Sequence, residues 1–257
     1  MNVLDLFSGI GGFSLGLERA GMRTVAFCEI EPYCRAVLRK HWPDVPIFED
    51  VRKLTAADVS GVDVICGGFP CQDISVAGAQ EGIEGERSGL WGEIRRLIGD
   101  IRPRYAIMEN VTNLIAGENG EWFAKILGDL AALGYDSEWH CLRASRIGYP
   151  HQRDRVWILA HPTSERRDIQ EGAAPALLSP KCLQNFEQSG SRWKREISGH
   201  SMERVGWKVE PAIRGSDDGI PDELAEKMIH ALGNSIVPAF PEIIGRAIMQ
   251  AEGRGMI

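Results

Sequence analysis

The sequence predicts an α/β fold of the nucleotide-binding kind, an open and largely parallel sheet covered by helices. Three observations lead there. Apolar runs of strand length recur between longer stretches with helical spacing. The first run meets a glycine-rich turn that opens directly into a helix. The second run ends in Glu29, twenty positions after Gly9, where such folds place an acceptor for ribose hydroxyls.

In chain order, Met1–Phe7 reads as a short buried strand entering Ser8-Gly9-Ile10-Gly11-Gly12-Phe13. Ser14–Ala20 then has helical spacing, closed by Gly21. Thr24–Cys28 is a second strand and Glu31–His41 a helix with Pro32 in its first turn. A third strand is expected to end at Asp50-Val51. Val62–Cys66 is a fourth apolar run, followed by Gly67-Gly68-Phe69-Pro70-Cys71-Gln72. Here the glycines are expected to bend the backbone tightly while Pro70 stiffens the turn. Asp73–Arg87 carries Gly78, Gly82 and Gly85 without periodicity and reads equally as a closing lid or a surface loop. Ser88–Ile101 is a helix, and Tyr105–Met108 a strand that delivers Glu109-Asn110-Val111 to the same sheet edge. Glu121–Leu133 follows as a helix, then Tyr135–Ala144 and Arg155–Ala160 as strands. Helical spacing returns over Asp222–Leu232 and Pro238–Gln250, on either side of Gly233-Asn234-Ser235.

Composition narrows the class. The chain has 257 residues, 44% hydrophobic and 25% charged, which suits one large core with a small second unit. The expected division is a catalytic and cofactor-binding domain over 1–160, a small target-recognition region over 161–219, and C-terminal helices over 220–257 that return to the first domain. No apolar run is long enough to span a bilayer and no signal-peptide pattern opens the chain, so a cytoplasmic location is expected. The six cysteines form no Cys-x-x-Cys pair or Cys/His cluster, so no metal site is expected. The net charge of −7 argues against a surface built for non-specific nucleic-acid binding, although 160–215 holds nine Lys/Arg against seven Asp/Glu. Within it Ser191-Arg192-Trp193-Lys194-Arg195 interleaves an aromatic with cations, a pattern that fits phosphate and base contacts or a solvated helix face.

Four groups carry candidate chemistry. Gly-x-Gly-Gly lacks the third glycine of the dinucleotide fingerprint, so a nucleoside without phosphates, such as S-adenosylmethionine, fits it better than NAD. Cys71 sits on a stiff turn at the sheet's functional edge and becomes a strong nucleophile if its thiolate is stabilised. Glu109 is a carboxylate that a neighbouring strand places near Cys71. Arg153 and Arg155 alternate on an extended segment, so both project to one face, where they could hold an anionic or carbonyl-rich ligand beside the nucleophile or form surface ion pairs.

As an ordered set, these motifs resemble the DNA cytosine-5 methyltransferases. The matching residues are Asp5-Leu6-Phe7-Ser8-Gly9-Ile10-Gly11-Gly12, Glu29, Asp50, Gly68-Phe69-Pro70-Cys71-Gln72, Glu109-Asn110-Val111, Arg153-Asp154-Arg155 and Gly233-Asn234-Ser235. Arg214–Pro221 running into Ala231–Pro238 also looks like the C-terminal part of phage or prophage members. The resemblance implies a Rossmann-like S-adenosylmethionine-dependent methyltransferase fold with an inserted target-recognition domain. It implies methyl transfer to carbon 5 of a cytosine flipped out of double-stranded DNA, through a covalent Cys71 adduct. Cys71, Glu109, Arg153 and Arg155 match catalytic positions. Phe7, Gly9, Ile10, Gly11, Gly12, Glu29, Ile30, Asp50, Val51, Pro70, Leu90, Asn234 and Ser235 match cofactor-contacting ones. The family's Gln-x-Arg-x-Arg departs here, with His151 at the glutamine position. A monomer is expected, acting alone or beside a cognate restriction endonuclease. Two other readings stay open: an RNA (tRNA) cytosine-5 methyltransferase on the same fold, and a catalytically silent DNA-binding relative.

Overall fold

Asn2–Leu6 forms strand β1 because its side chains alternate between two covered faces: Val3 is buried on one, Leu4 and Leu6 on the other. The same alternation builds β4 (Val64–Gly68) and β5 (Tyr105–Val111), and it explains why their sequences are almost continuously apolar. The structure, a computed structural model, describes residues 1–69, 90–147, 149, 153–163 and 222–253. The expected lid over 73–87, Pro70, Cys71, and the recognition region from residue 164 onward lie outside the described residues.

The described residues form a seven-stranded sheet in the order β3-β2-β1-β4-β5-β7-β6. The remaining strands are β2 (Arg23–Cys28), β3 (Ile47–Phe48), β6 (Tyr135–Arg143) and β7 (Asp154–Pro162). β3, β2, β1, β4 and β5 are parallel, whereas β7 runs antiparallel to both β5 and β6. Strand order reverses between β1 and β4, so a crevice opens outside their carboxyl ends, where open α/β sheets bind ligands. Because β7 is antiparallel, its first residues lie at that same edge.

One face of the sheet is covered by α3 (Leu90–Ile101) and α5 (Glu121–Ala132). Trp91, Ile94, Leu97, Ile98, Ile126 and Leu130 are buried there against Leu4, Ile65, Met108 and Ile158. The other face is covered by α1 (Gly12–Arg19) and α7 (Ala239–Ala251), with Phe13 and Leu17 meeting Phe240, Ile244 and Ile248. A side chain at Gly16 would meet the Pro238 carbonyl at 2.2 Å, so α1 and α7 touch at backbone distance. The C-terminal segment thus completes the first unit's core. The other α-helices described are α2 (Pro32–His41), the short α4 (Asn113–Ala116), whose Leu114 joins the α3–α5 core, and α6 (Asp222–Asn234). No helix among the described residues is long and apolar enough to cross a membrane.

Several boundaries differ from the sequence reading. α1 starts at Gly12 rather than Ser14, α6 carries Gly233 and Asn234 in its last turn, and β7 continues to Pro162. Gly67 and Gly68 are the more informative correction, since they extend β4 instead of bending after it. Their role is clearance: a Cβ on Gly67 would sit 2.6 Å from the Leu6 carbonyl oxygen in the neighbouring strand. Gly67→Ala is therefore expected to destabilise the protein by about 1–3 kcal/mol, the usual cost of overpacking. A denaturant midpoint equal to that of the unaltered chain would remove this clearance argument.

Candidate active site

The crevice is built from strand tips. Phe7, directly after β1, has φ 52°, a left-handed conformation that costs a residue with a Cβ about 1–2 kcal/mol. Ser8 fixes this bend by donating its hydroxyl to the Asp5 carbonyl at 2.6 Å and its N–H to the Cys28 carbonyl at 3.2 Å. Asp5 is fully buried, and it accepts the Ser14 hydroxyl at 2.7 Å and the Ser14 N–H at 3.2 Å, tying β1 to the first turn of α1. Burial outweighs those bonds and pushes its carboxyl up to about 7.

Glu29 holds the glycine turn against the tip of β2. One carboxylate oxygen accepts the Gly9 N–H at 2.6 Å and the other accepts the Glu31 N–H at 2.8 Å. Gly9 has φ +54°, and a Cβ there would meet nothing within 4 Å, so its backbone faces open space. Gly11 and Gly12 are different: a Cβ would strike the Trp42 ring at 2.6 Å on Gly11 and the Ile236 carbonyl at 2.4 Å on Gly12. Packing accounts for Gly12, and packing together with a φ of +87° accounts for Gly11. Trp42 is itself fixed by donating its ring N–H to Glu18 at 3.0 Å. Ile10 is half-buried beside this turn.

Beyond Glu29, Ile30 is 60% exposed, an unusual state for an isoleucine at a strand tip. It lines a cleft of about 490 Å³ with Phe48, Asp50 and Leu54. Asp50 follows β3 and is paired with the Arg52 guanidinium, which holds its carboxyl below the usual range. Val51 is buried in the core and Leu90 packs partly buried at the start of α3. Asn234 is exposed, with its side-chain nitrogen 3.0 Å from His230 Nε2, and Ser235 donates its hydroxyl to the Leu232 carbonyl.

The second half of the site centres on Glu109. Its register partner in β4 is Gly68, where a Cβ would lie 3.2 Å from the Glu109 carboxylate. Its partner in β7 is Trp157, which makes Arg155 a diagonal neighbour on the same face. Arg155 Nε lies 3.0 Å from Glu109 Oε1, and the two side chains are 24% and 8% exposed. Arg155 also donates to the Asp154 carbonyl, and Arg153 donates to the Gly233 carbonyl at 2.5 Å, linking β7 to α6. Burial raises the Glu109 pKa, while Arg155 and then Arg153 pull it down without cancelling the rise.

Asn110 adds a contact the sequence did not assign. Its side-chain nitrogen donates to the Phe69 carbonyl at 3.3 Å, and its oxygen accepts the Val111 N–H at 2.8 Å. Phe69 is buried against Trp91, so the backbone is held from both sides just before Pro70 and Cys71. The remaining described thiols are poor nucleophiles. Burial pushes Cys28 up to about 12 and Cys34 to about 11, and raises Cys66 and Cys141 as well.

Taken together, the structure gathers Phe7, Gly9, Glu29, Ile30 and Asp50 along the β1–β3 tips, and Glu109 and Arg155 at the β5–β7 end. Residues 1–209 match the model of the C-5 cytosine-specific DNA methylase family, and the chain belongs to that family. It is 36% identical over 231 residues to the type II methyltransferase M2.BsuMI of Bacillus subtilis, covering 86% of this chain and 58% of that protein. It is 31% identical over 159 residues to the type II methyltransferase M.HhaI of Haemophilus parahaemolyticus, covering 62% of this chain and 48% of that one. The chain thus spans about half the length of the curated relatives it matches. Among solved structures, the Entamoeba histolytica methyltransferase EhMeth aligns over 98% of both chains with a TM-score of 0.65 at 14% identity. A prophage-encoded Escherichia coli protein described as a DNA modification methyltransferase aligns over 98% of this chain and 99% of its own, with a TM-score of 0.68 at 18% identity. These two likenesses establish the fold.

The buried pair gives a direct test. Arg155→Met takes from the Glu109 carboxylate its closest cation and raises its pKa further. Above the ordinary carboxylate range the unfolded chain then ionises Glu109 more readily than the folded one, so stability falls by about 1–3 kcal/mol at neutral pH. The deficit should shrink as pH drops toward and below the unperturbed value of 4.5, under which both states hold the proton. Urea titrations of both proteins across pH measure it, and a pH-independent deficit would contradict the assignment.

Proposed function

We propose that the protein transfers a methyl group from S-adenosylmethionine to carbon 5 of a cytosine in double-stranded DNA. The observation that carries this reading is the buried Glu109–Arg155 pair, set at the edge where the chain enters Pro70-Cys71. Family membership supports the reaction class. Cytosine carbon 5 is a weak nucleophile until carbon 6 is attacked. In our reading the Cys71 thiolate adds to carbon 6, and Glu109, whose pKa burial raises, protonates or hydrogen-bonds N3 and the exocyclic amine and stabilises the charge that addition creates. Arg155, with Arg153 beside it, binds the base carbonyl. Carbon 5 then takes the methyl group, loses its proton, and Cys71 leaves. A ring held in a duplex stack cannot meet these groups, so the cytosine must be flipped out.

The residues present fit the methyl donor. The Gly9 backbone faces open space, Glu29 offers carboxylate oxygens at the ribose position, and exposed Ile30 supplies an apolar surface for an adenine ring. Bound there, S-adenosylmethionine supplies an electrophilic methyl group. Phe7, Ile10, Asp50, Val51, Pro70, Leu90, Asn234 and Ser235 complete the proposed contact set; for Gly11 and Gly12 the packing against Trp42 and Ile236 is a sufficient second role. We further read 161–219 as the target-recognition region, the chain as a monomer, and its location as the cytoplasm, where its DNA substrate lies. A partner endonuclease is compatible with the type II relatives.

Cys71→Ser is expected to abolish incorporation of labelled methyl groups into unmethylated genomic DNA while leaving S-adenosylhomocysteine binding intact. Full activity in that variant would remove Cys71 from the mechanism, and incorporation into tRNA but not DNA would favour the RNA reading. Glu109→Gln should lower the rate by about 10²–10⁴, the usual worth of a positioned acid. In the unaltered protein the rate should fall as pH rises through the upward-shifted Glu109 pKa, because the proton to be donated is then lost. A rate that rises across that range would make Glu109 act as an anion instead.

A further inference from the structure

Two arginines outside the proposed contact set hold the backbone on both sides of the cleft between β2 and β3, Arg35 from the cleft's own wall and Arg96 from behind it. Arg35 of α2 donates to the Glu29 carbonyl at 3.2 Å and to the Ile30 carbonyl, and its Nη2 pairs with Glu49 at 3.1 Å. It therefore fastens the β2 tip to the segment that follows β3. Arg96 of α3 donates through Nη2 to the carbonyls of Val51 and Leu54, at 3.0 and 2.9 Å. Its own orientation is set by Glu93, 2.9 Å from Nε.

The sheet does little of this work. β3 pairs with β2 through only Phe27↔Ile47 and Cys28↔Phe48, so the chain from Glu49 to Leu54 continues without a ladder. Burial of Val51 and Leu54 sets their depth but does not orient their carbonyls, and the half-buried Asp50 just before them is tied only to its near neighbour Arg52 among the side-chain bonds described. A guanidinium is rigid and planar with diverging donors, so one group can hold two carbonyls at a fixed separation. A lysine ammonium on a flexible stem holds them less well.

We propose that Arg35 and Arg96 are positioning residues that set the separation between Ile30 and Asp50, and through it the affinity for the adenosine part of the methyl donor. This rests on the cofactor reading given under Proposed function. Neither arginine takes part in the chemistry at Glu109, so their loss acts on donor binding and spares the transfer step.

The test is calorimetric titration of S-adenosylhomocysteine into the full chain and into Arg96→Met, Arg35→Met and Arg96→Lys. Initial rates on unmethylated genomic DNA across donor concentration, with thermal midpoints, accompany it. Each methionine variant is expected to weaken S-adenosylhomocysteine about ten-fold and raise the donor KM in parallel, with kcat at saturating donor within about two-fold of the unaltered protein. Arg96→Lys should recover part of the loss. If Arg96→Met does not fold, Arg35→Met and Arg96→Lys carry the measurement. Unchanged affinity in the folded variants, or a fall in kcat with KM unchanged, overturns the proposal. No S-adenosylhomocysteine binding by the unaltered chain overturns the cofactor reading itself, and the two failures are told apart by that control.

Discussion

Keeping the Glu109 carboxylate out of water beside one cation constrains the architecture more than any other single interaction. An unpaired buried carboxylate is costly, so the fold must supply a partner at the right end of β5. A parallel neighbour would present its carboxyl end there, as β1 and β4 do. The antiparallel β7 instead begins at that edge, and its diagonal register places Arg155 on the Glu109 face. On the other side β4 must leave room, and Gly68 leaves it. Strand direction and one glycine bury the carboxyl group, which makes it hold its proton more tightly than it would in water, while the arginine offsets part of that rise.

The opposite half of the crevice is organised by backbone rather than by charge pairing. Phe7 is held in a left-handed conformation, Ser8 and Glu29 secure the turn behind it, and Trp42 blocks the space beneath Gly11. Strain of this kind persists only where its surroundings over-determine it. Here α1 follows the turn at once, and its contact with α7 leaves no slack, because Gly12 and Gly16 abut the carbonyls of Ile236 and Pro238. The C-terminal segment therefore acts on the turn through packing, across more than two hundred residues of sequence.

Much of this was legible before any coordinates. The strand-turn-helix opening, Glu29 after Gly9 and the Glu-Asn-Val strand are local patterns, and local patterns survive folding. What the sequence misjudged were residues whose reason is a distant neighbour. Gly67 and Gly68 looked like bend formers, but Leu6 and Glu109 explain them, and both belong to other strands. Asn110 was visible only as part of a motif, since its bond to Phe69 crosses two strands. Arg35, Trp42 and Arg96 carried no signal, because an arginine or tryptophan on an amphipathic helix is ordinary until its acceptors are known.

The two halves meet at β1 and β4, where strand order reverses, and the meeting decides how the molecule responds to change. The β1–β3 half offers N–H groups, an acidic acceptor and an apolar surface, held in place by backbone contacts with little tolerance. The β4–β5–β7 half offers a titratable group whose state depends on one ion pair and on burial. Damage to the first half should appear as altered geometry and binding, while damage to the second should appear as altered pH dependence. Gly67 stands on the seam, with the Leu6 carbonyl 2.6 Å from where its Cβ would be. A side chain there would push apart two strands whose tips belong to the two halves, so both responses would be disturbed from a single position.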